Sequence, residues 1–191
     1  MSEKIRCGWC GSDKLYQDYH DTEWGVPVYD DEKMFEFLIL EGFQAGLSWI
    51  TILKRREGFR EAFDNFDYNK IAKYDEKKIQ ALMQDDRIIK NQLKIRSSVT
   101  NALAFMEVQK EFGSFCDYLW SFTNGKAIDN QPKELKDIPA QTELSDKISK
   151  DLKKRGFKFV GSTIIYAHLQ AVGIVNDHLQ NCWVRKKIGF F

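Results

Sequence analysis

The chain has 191 residues, of which 43% are hydrophobic and 14% aromatic. This composition excludes an intrinsically disordered protein, and the length allows one domain with a sizeable core. Its 29 lysines and arginines nearly balance 28 aspartates and glutamates, and a net charge of +1 by itself demands no polyanionic partner.

The start of the chain, MSEKIRCGWC, lacks the apolar segment of a signal peptide. The longest apolar run nearby, Phe37 to Leu40, is much too short to cross a bilayer. We therefore expect no membrane span and a cytoplasmic location. In that compartment the four cysteines are expected to be free thiols or metal ligands and not disulfides.

Apolar residues recur at helical spacing along most of the chain. The pattern predicts helices over 31–41, 48–63, 75–82, 88–112, 114–122, 142–155 and 162–171. The residues expected to cap or stop them are Asp30 or Asp31, Gly42, Ser48, Asp75, Gly113, Ser114 and Gly156. Residues 125–141, with Pro132 and Pro139, are predicted to form a connecting loop. Because no strand-type alternation is evident, the predicted fold class is all-α, with a single domain over 1–191.

Glu41 stands at the end of an apolar run, in the stretch FEFLILEGFQAGLSWI at 35–50, and eight residues before Trp49. An unpaired carboxylate is costly to bury, so such a residue is usually exposed, neutralised or functional. The stretch alone does not decide between these roles, and a glutamate at a helix end is more often simply solvated.

Potential metal ligands occur in two pairs near the two ends of the chain: Cys7 with His20, and His178 with Cys182. The second pair has i, i+4 spacing, so on a helical turn both side chains would share one face. Two thiolates and two imidazoles suit a structural zinc ion with tetrahedral geometry. Buried cysteines without metal fit the same spacing equally well. If zinc binds, it joins segments 7–20 and 178–182.

The segment LKKRGFKFVGSTIIYAHLQ, within residues 142–172, has the pattern of two helices joined by a short turn from Gly156 to Gly161. Glycines permit close approach of a ligand, and the free N–H groups of a helix starting at Ser162 can bind an anion such as a DNA phosphate. Lys158 adds positive charge beside them. A helical hairpin that only packs within the protein has the same pattern and is the more common case.

Five motifs occur in this order along the chain: RCGW, YxxYHDTEWGVP, LEGFQAGLSWITILKRRE, LKKRGFKFVGST and VNDHLxxC. Together, from about Cys7 to Cys182, they resemble the 3-methyladenine DNA glycosylase I family. The resemblance implies a helix-hairpin-helix fold with an added zinc-binding region. It also implies excision of 3-methyladenine from alkylated double-stranded DNA, with free 3-methyladenine as the product. We further expect a monomer in the bacterial cytosol, associated with the nucleoid.

The resemblance assigns roles to individual residues. The family's structural zinc ligands match Cys7, His20, His178 and Cys182, which implies one zinc ion per chain. The carboxylate that recognises the base, and the expected catalytic residue, matches Glu41. The aromatic residues of the base pocket match Tyr16, Tyr19 and Trp49, with Trp9 as a further wall. The expected DNA contacts are Gly156, Lys158, Gly161, Ser162 and Leu47.

Leu47 is a candidate wedge for the stack that a flipped base vacates, although it would also suit a core position. Relatives with lyase activity carry a lysine shortly after the last glycine of the hairpin. This chain has Ser162 and Thr163 there, which implies a monofunctional glycosylase. Two positions are open: Phe43 replaces a residue that is commonly polar, so the pocket rim is expected to differ, and Asp177 has no assigned role.

Two other functions are compatible with parts of the sequence. One is a DNA-binding domain without enzymatic activity, held together by zinc and using the same hairpin. The other is a helical module for protein interaction. Glu41 beside aromatic residues favours the glycosylase, because neither alternative requires a buried carboxylate that faces rings.

Overall fold

The computed structural model describes residues 4–189, which form eleven α-helices and two short strands. The helices are α1 (Lys14–Thr22), α2 (Asp31–Gln44), α3 (Trp49–Leu53), α4 (Arg56–Ala62), α5 (Tyr68–Ile71), α6 (Glu76–Gln84), α7 (Gln92–Phe112), α8 (Phe115–Ser121), α9 (Glu143–Lys154), α10 (Ser162–Ala171) and α11 (Trp183–Lys187). The strands β1 (Ile128–Asp129) and β2 (Val175–Asn176) pair in parallel. The single domain predicted over 1–191 stays a prediction, and its residues 1–3 and 190–191 lie outside the described residues.

The prediction of a mostly helical protein is confirmed, but the two strands correct the all-α expectation. Each strand has only two residues, too few for an alternating pattern to be visible in the sequence. The pair places Ile128 opposite Val175, and the amide of Asn176 donates to Asp129 Oδ1 at 3.0 Å. The predicted loop 125–141 is therefore tied to the segment that follows α10.

Several predicted helix boundaries are wrong for local reasons. Gly42 does not end α2, which continues to Gln44, because Gly42 keeps a helical conformation and is not among the glycines with positive φ. The helix predicted over 48–63 is divided into α3 and α4. The helix expected from 88 begins only at Gln92, where Asn91 provides the cap.

The core is built around α2, whose residues from Met34 to Phe43 are all buried. A helix that is apolar on every side is suited to the centre of a helical fold. Phe105 of α7 packs against Phe35 of α2 and Phe115 of α8, with ring centroids 5.0 and 4.3 Å apart. Because α2 is enclosed, the carboxylate of Glu41 is carried into the interior. No helix within residues 4–189 is long and apolar enough to cross a bilayer.

Helices α9 and α10 form the predicted hairpin, and its turn is fixed to α7. Asn101 accepts a hydrogen bond from Lys158 N at 2.8 Å and donates to Lys158 O at 3.0 Å. Gly156 has a φ of +96°, which favours glycine, and follows the end of α9. The first turn of α10 is thereby held in a fixed position close to the end of α2.

Candidate functional site

A cavity of about 350 Å³ lies between the N-terminal segment, α2, α3 and α10. All five predicted base-pocket residues line it: Trp9, Tyr16, Tyr19, Glu41 and Trp49. The structure adds six residues that the sequence analysis missed: Trp24, Gln44, Leu135, Ile138, Ala167 and Gln170. Trp24 lies within the quoted motif YxxYHDTEWGVP, and Ala167 and Gln170 share one face of α10. Leu135 and Ile138 come from the predicted loop and carried no sequence signal.

The walls of the cavity are mainly aromatic. The rings of Trp9 and Tyr16 are 5.0 Å apart, and those of Tyr19 and Trp49 are 5.6 Å apart. The indole nitrogens of Trp9 and Trp49 are buried and have no hydrogen-bond partner among the described residues. The cavity therefore offers ring faces for stacking, and its two indole N–H donors are uncommitted within the protein.

Glu41 is the acidic side chain of this cavity and is only 3% exposed. Its Oε2 atom has no hydrogen-bond partner within the described part of the chain. Burial raises the pKa of Glu41 to about 8, because the charged form loses its hydration. Without a bound cation, Glu41 therefore mostly retains its proton near neutral pH, and binding of a cation would favour its loss.

A second cleft of about 180 Å³ continues from Glu41 towards the hairpin. It is lined by the loop after α2, including Gly46 and Leu47, and by Thr163 and Ile164 in the first turn of α10. Leu47 is 41% exposed, so it is not a core residue. The two clefts connect the carboxylate to the surface where the predicted DNA contacts lie.

The four predicted metal ligands meet in one buried cluster: Cys7, His20, His178 and Cys182. Their ligand atoms lie within 4.8 Å of one another. Cys182 Sγ is 3.5 Å from both His20 Nε2 and His178 Nδ1, and Cys7 Sγ is 3.6 Å from His178 Nδ1. Tetrahedral zinc, with bonds of about 2.3 Å to sulfur and about 2.0–2.1 Å to nitrogen, separates these atoms by roughly 3.5 Å. The cluster therefore fits a zinc ion.

The outer nitrogens of both histidines have partners that orient the rings. His20 Nδ1 is 2.8 Å from Asp21 Oδ1, and His178 Nε2 is 3.0 Å from the carbonyl oxygen of Trp24. With protons on these nitrogens, the other nitrogen of each ring directs its lone pair to the centre of the cluster, as metal-bound histidines do. Gly25, with φ of +79°, leaves room for His178, because a Cβ there would lie 3.0 Å from Nε2.

The expected helical turn between His178 and Cys182 is wrong. These residues form a non-helical turn closed by a hydrogen bond from Cys182 N to Leu179 O at 2.8 Å, and Cys182 precedes α11. The tight turn still brings both side chains to the same cluster. The two side chains thus meet without the helical geometry that the i, i+4 spacing suggested.

The predicted DNA contacts lie together on the hairpin, apart from Leu47. Gly161 caps α10 without a side chain, and a Cβ there would meet no atom within 4 Å. The hydroxyl of Ser162 is 2.8 Å from that of Ser145, so its side chain is engaged while its backbone starts the helix. Lys158 is exposed. Arg155, which follows α9, is paired with Glu111 and Asp151.

The two positions left open by the sequence are resolved. Phe43 is 1% exposed and packs against Phe59 at 4.8 Å, so it belongs to the core and not to the pocket rim. Asp177 is 1% exposed and does not line the cavity. Its carboxylate instead accepts hydrogen bonds from Tyr166, Gln170 and Asn130.

This combination of a helical fold, an aromatic cavity with a buried carboxylate and a Cys/His cluster agrees with the comparisons with known proteins. Residues 9–186 match the family described as methyladenine glycosylase. The chain belongs to this family. It is 49% identical over 177 residues to the DNA-3-methyladenine glycosylase of Haemophilus influenzae, covering 93% of this chain and 96% of the relative.

A second relative, DNA-3-methyladenine glycosylase 1 of Escherichia coli, is also 49% identical, with coverage of 93% and 95%. Among solved structures, a crystal structure of 3-methyladenine DNA glycosylase I superposes with a TM-score of 0.91 at 47% identity, covering 94% of this chain and 98% of the other. The Staphylococcus aureus enzyme, solved to explain 3-methyladenine recognition, gives 0.91 at 37% identity, with coverage of 94% and 95%.

Proposed function

We propose that this protein is a monofunctional DNA glycosylase that excises 3-methyladenine from alkylated DNA, in base excision repair, by hydrolysing the N-glycosidic bond. The observation that carries the proposal is the unpartnered, buried carboxylate of Glu41 in an aromatic cavity. Such a carboxylate lowers stability unless a ligand compensates it, and a cationic base would do so. The relatives' names state this activity for proteins that match over almost the whole chain.

The chemistry of the lesion suits such a pocket. Adenine methylated at N3 is a cation while it is attached to the sugar, and it can leave as a neutral base. A general acid is therefore not required. In a low-dielectric cavity a carboxylate attracts the cationic base much more strongly than neutral adenine, and binding would shift Glu41 towards its ionised form.

The aromatic walls would hold the extruded base. Flipping a nucleotide out of the duplex costs a few kcal/mol, and it is easier at a damaged pair. Tyr16, Tyr19 and Trp49 can stack on the base, and a cation over such a ring gains about 0.5–2 kcal/mol. Because cleavage removes the positive charge of the base, ground-state attraction alone does not accelerate it. Placement of the strained sugar for attack by water must contribute.

The hairpin is the proposed contact with double-stranded DNA. The backbone N–H groups at the start of α10, beside Gly161 and Ser162, are suited to a phosphate group, and Lys158 adds charge. Gly156 shapes the turn that presents them. Leu47, exposed on the loop that borders Glu41, is suited to fill the place of the flipped base.

We also propose one structural zinc ion per chain, held by Cys7, His20, His178 and Cys182. Four protein ligands leave no open position for substrate, so the ion would stabilise the fold and take no part in the reaction. A monomer in the bacterial cytosol, associated with the nucleoid, accords with a repair enzyme that acts on chromosomal DNA.

The test is to incubate the protein with methylated DNA and to identify the released bases by chromatography. Release of 3-methyladenine is expected, together with abasic sites and no strand cleavage by the protein itself. Binding of the DNA without release of any base would favour the non-enzymatic DNA-binding domain instead. Failure to bind DNA at all would favour a protein-interaction module.

A further inference from the structure

Gln170 is a cavity residue whose amide is held in one orientation. It lines the same cavity as Glu41, and its Nε2 donates to Asp177 Oδ2 at 2.7 Å. The reverse orientation would place the carbonyl oxygen of the amide against a carboxylate oxygen, two acceptors in contact. The hydrogen-bond network therefore decides which end of the amide faces Asp177. The other end, Oε1, has no hydrogen-bond donor among residues 4–189.

Asp177 is itself fixed by two further donors from different segments. The hydroxyl of Tyr166 donates to Oδ2, and the amide of Asn130 donates to Oδ1 at 2.8 Å. Burial raises the pKa of Tyr166, and its hydrogen bond to Asp177 adds to the rise, so this hydroxyl retains its proton. Asn130 follows β1 and Asp177 follows β2, so the short parallel pair brings these partners together.

We propose that Gln170 is a specificity residue for the base, which presents its carbonyl oxygen to the cavity, and that Asp177 is the positioning residue that holds it there. This inference rests on the proposed function. Once a cationic base has shifted Glu41 to its ionised form, Glu41 and Gln170 form a pair of acceptors that line one cavity. Such a pair is complementary to a base with two N–H donors, and the exocyclic amine of 3-methyladenine has two.

The same pair opposes a base that carries a carbonyl oxygen in place of the amine. That oxygen would face acceptors and lose its hydrogen bonds to water without replacement, which is the more effective way for a pocket to discriminate. Attraction by the charge of Glu41 alone does not distinguish two methylated bases of equal charge. Gln170 can distinguish them by the group at this position, since it accepts a hydrogen bond from an amine but not from a carbonyl oxygen.

The experiment compares the dissociation constants of free 3-methyladenine and free 3-methylhypoxanthine, in which a carbonyl replaces the amine, by tryptophan fluorescence. The Gln170→Met variant keeps the length of the side chain but removes the acceptor. We expect its affinity for 3-methyladenine to fall about threefold to tenfold, the effect of one neutral hydrogen bond. The affinity for 3-methylhypoxanthine should be equal or higher. Gln109→Met, which changes a glutamine hydrogen-bonded to Asp31, is the control. It should leave unchanged the selectivity ratio, which is the affinity for 3-methyladenine divided by the affinity for 3-methylhypoxanthine.

The Asp177→Asn variant tests the positioning role. The new amide can donate to Gln170, so Gln170 can turn its NH₂ group into the cavity, and the selectivity ratio should fall as in Gln170→Met. In the double variant with Gln170→Met and Asp177→Asn, the selectivity ratio should be no lower than in Gln170→Met alone. Metal content is measured in parallel, because Asp177 is next to His178.

The inference would be overturned if Gln170→Met left the selectivity ratio unchanged. It would also be overturned if Asp177→Asn lowered this ratio as much in the Gln170→Met variant as in the wild type. An equal fall in both affinities would likewise contradict the inference, because it would indicate a structural role for Gln170 and not a role in selectivity. If Gln170→Met does not fold, Gln170→Ala replaces it with the same expectations. If the wild type releases 3-methyladenine from DNA but changes at Gln170 do not alter the selectivity ratio, only this inference is refuted. If the wild type releases no 3-methyladenine, the proposed function is refuted.

Discussion

The carboxylate of Glu41 has opposite effects on the stability of the fold and on recognition of the base. It lies within a buried stretch of α2, where an unpartnered charge lowers the stability of the fold. The raised pKa lessens this cost, since Glu41 retains its proton near neutral pH when no cation is bound. Binding of a cationic base reverses the preference, so recognition and stability can be separated by changing this residue.

We expect the Glu41→Gln variant to bind free 3-methyladenine and excise it from DNA about tenfold to a hundredfold less well. Loss of a charged hydrogen bond typically costs about 1.5–3 kcal/mol. The melting temperature should be unchanged or higher, because a costly buried acid is removed. Glu57→Gln, at an exposed glutamate of α4, is the control. Normal base affinity with a large loss of stability would identify Glu41 as a purely structural residue.

The pH dependence of stability provides a further prediction for Glu41. The folded-state pKa of about 8 exceeds the usual value of 4.5. Its stabilising contribution is therefore complete below about pH 4.5 and is lost as pH rises through about 8. The free energy of unfolding of wild type should fall relative to Glu41→Gln by up to a few kcal/mol across this window. Urea titrations of both proteins at several pH values measure the difference; two parallel pH curves would contradict the assigned pKa.

Among the secondary-structure elements, those with a clear cap were predictable from sequence. Asp30, Asp75 and Ser114 each accept a backbone hydrogen bond at the start of the helix that follows, as their positions suggested. Helix α1 was missed, although Asp13 caps it, because its nine residues are mainly polar and include only one aliphatic side chain, Leu15. The extension of α2 past Gly42 was not predictable, since glycine can either end a helix or lie within one, and here it keeps a helical conformation.

The hairpin allows a test of DNA binding that leaves the fold intact. In Gly161→Asn the new side chain has space and can cap α10 by accepting hydrogen bonds from its first N–H groups. Stability should be equal or higher, whereas affinity for duplex DNA of any sequence should fall at least about tenfold, because the cap competes with phosphate. Binding of free 3-methyladenine should be unaffected. Unchanged DNA affinity in this variant would make the hairpin a packing element only.

The contribution of Lys158 is expected to appear as a salt effect. Removal of one phosphate contact reduces the slope of log affinity against log salt concentration by about one. Lys158→Ala should show this reduction in a titration with duplex DNA at several salt concentrations. Lys73→Ala, which removes an exposed lysine outside the hairpin, serves as the control. Equal slopes for both variants would exclude Lys158 from the interface.

For the molecule as a whole, the Cys/His cluster joins segments that are far apart in the chain. Metal analysis should find about one zinc per chain, and Cys182→Ala should lose both the metal and several degrees of melting temperature. Cys116→Ala changes another buried cysteine, outside the cluster, and should retain the zinc. Full zinc occupancy in Cys182→Ala would contradict the assignment.

The composition of the cavity was predictable from sequence only where a motif marked the residue. The aromatic wall and Glu41 came from the resemblance, and the structure brings them together. Gln170 was not predictable, because its orientation depends on Asp177, which in turn depends on Asn130 and the two-residue strands. Such a chain of contacts between distant segments leaves no local pattern in any of them.

The joined ends of the chain also have a consequence for the order in which a growing polypeptide becomes active. Cys7 and His20 are made early, but their partners His178 and Cys182 follow only after more than 150 further residues. Trp9 and Tyr16, two walls of the pocket, lie between these early residues in the chain, so we expect them to reach their final place only when the late segment arrives. A partly synthesised chain therefore has Glu41 but not a closed base pocket, and glycosylase activity would begin in one late step of folding and not gradually during translation.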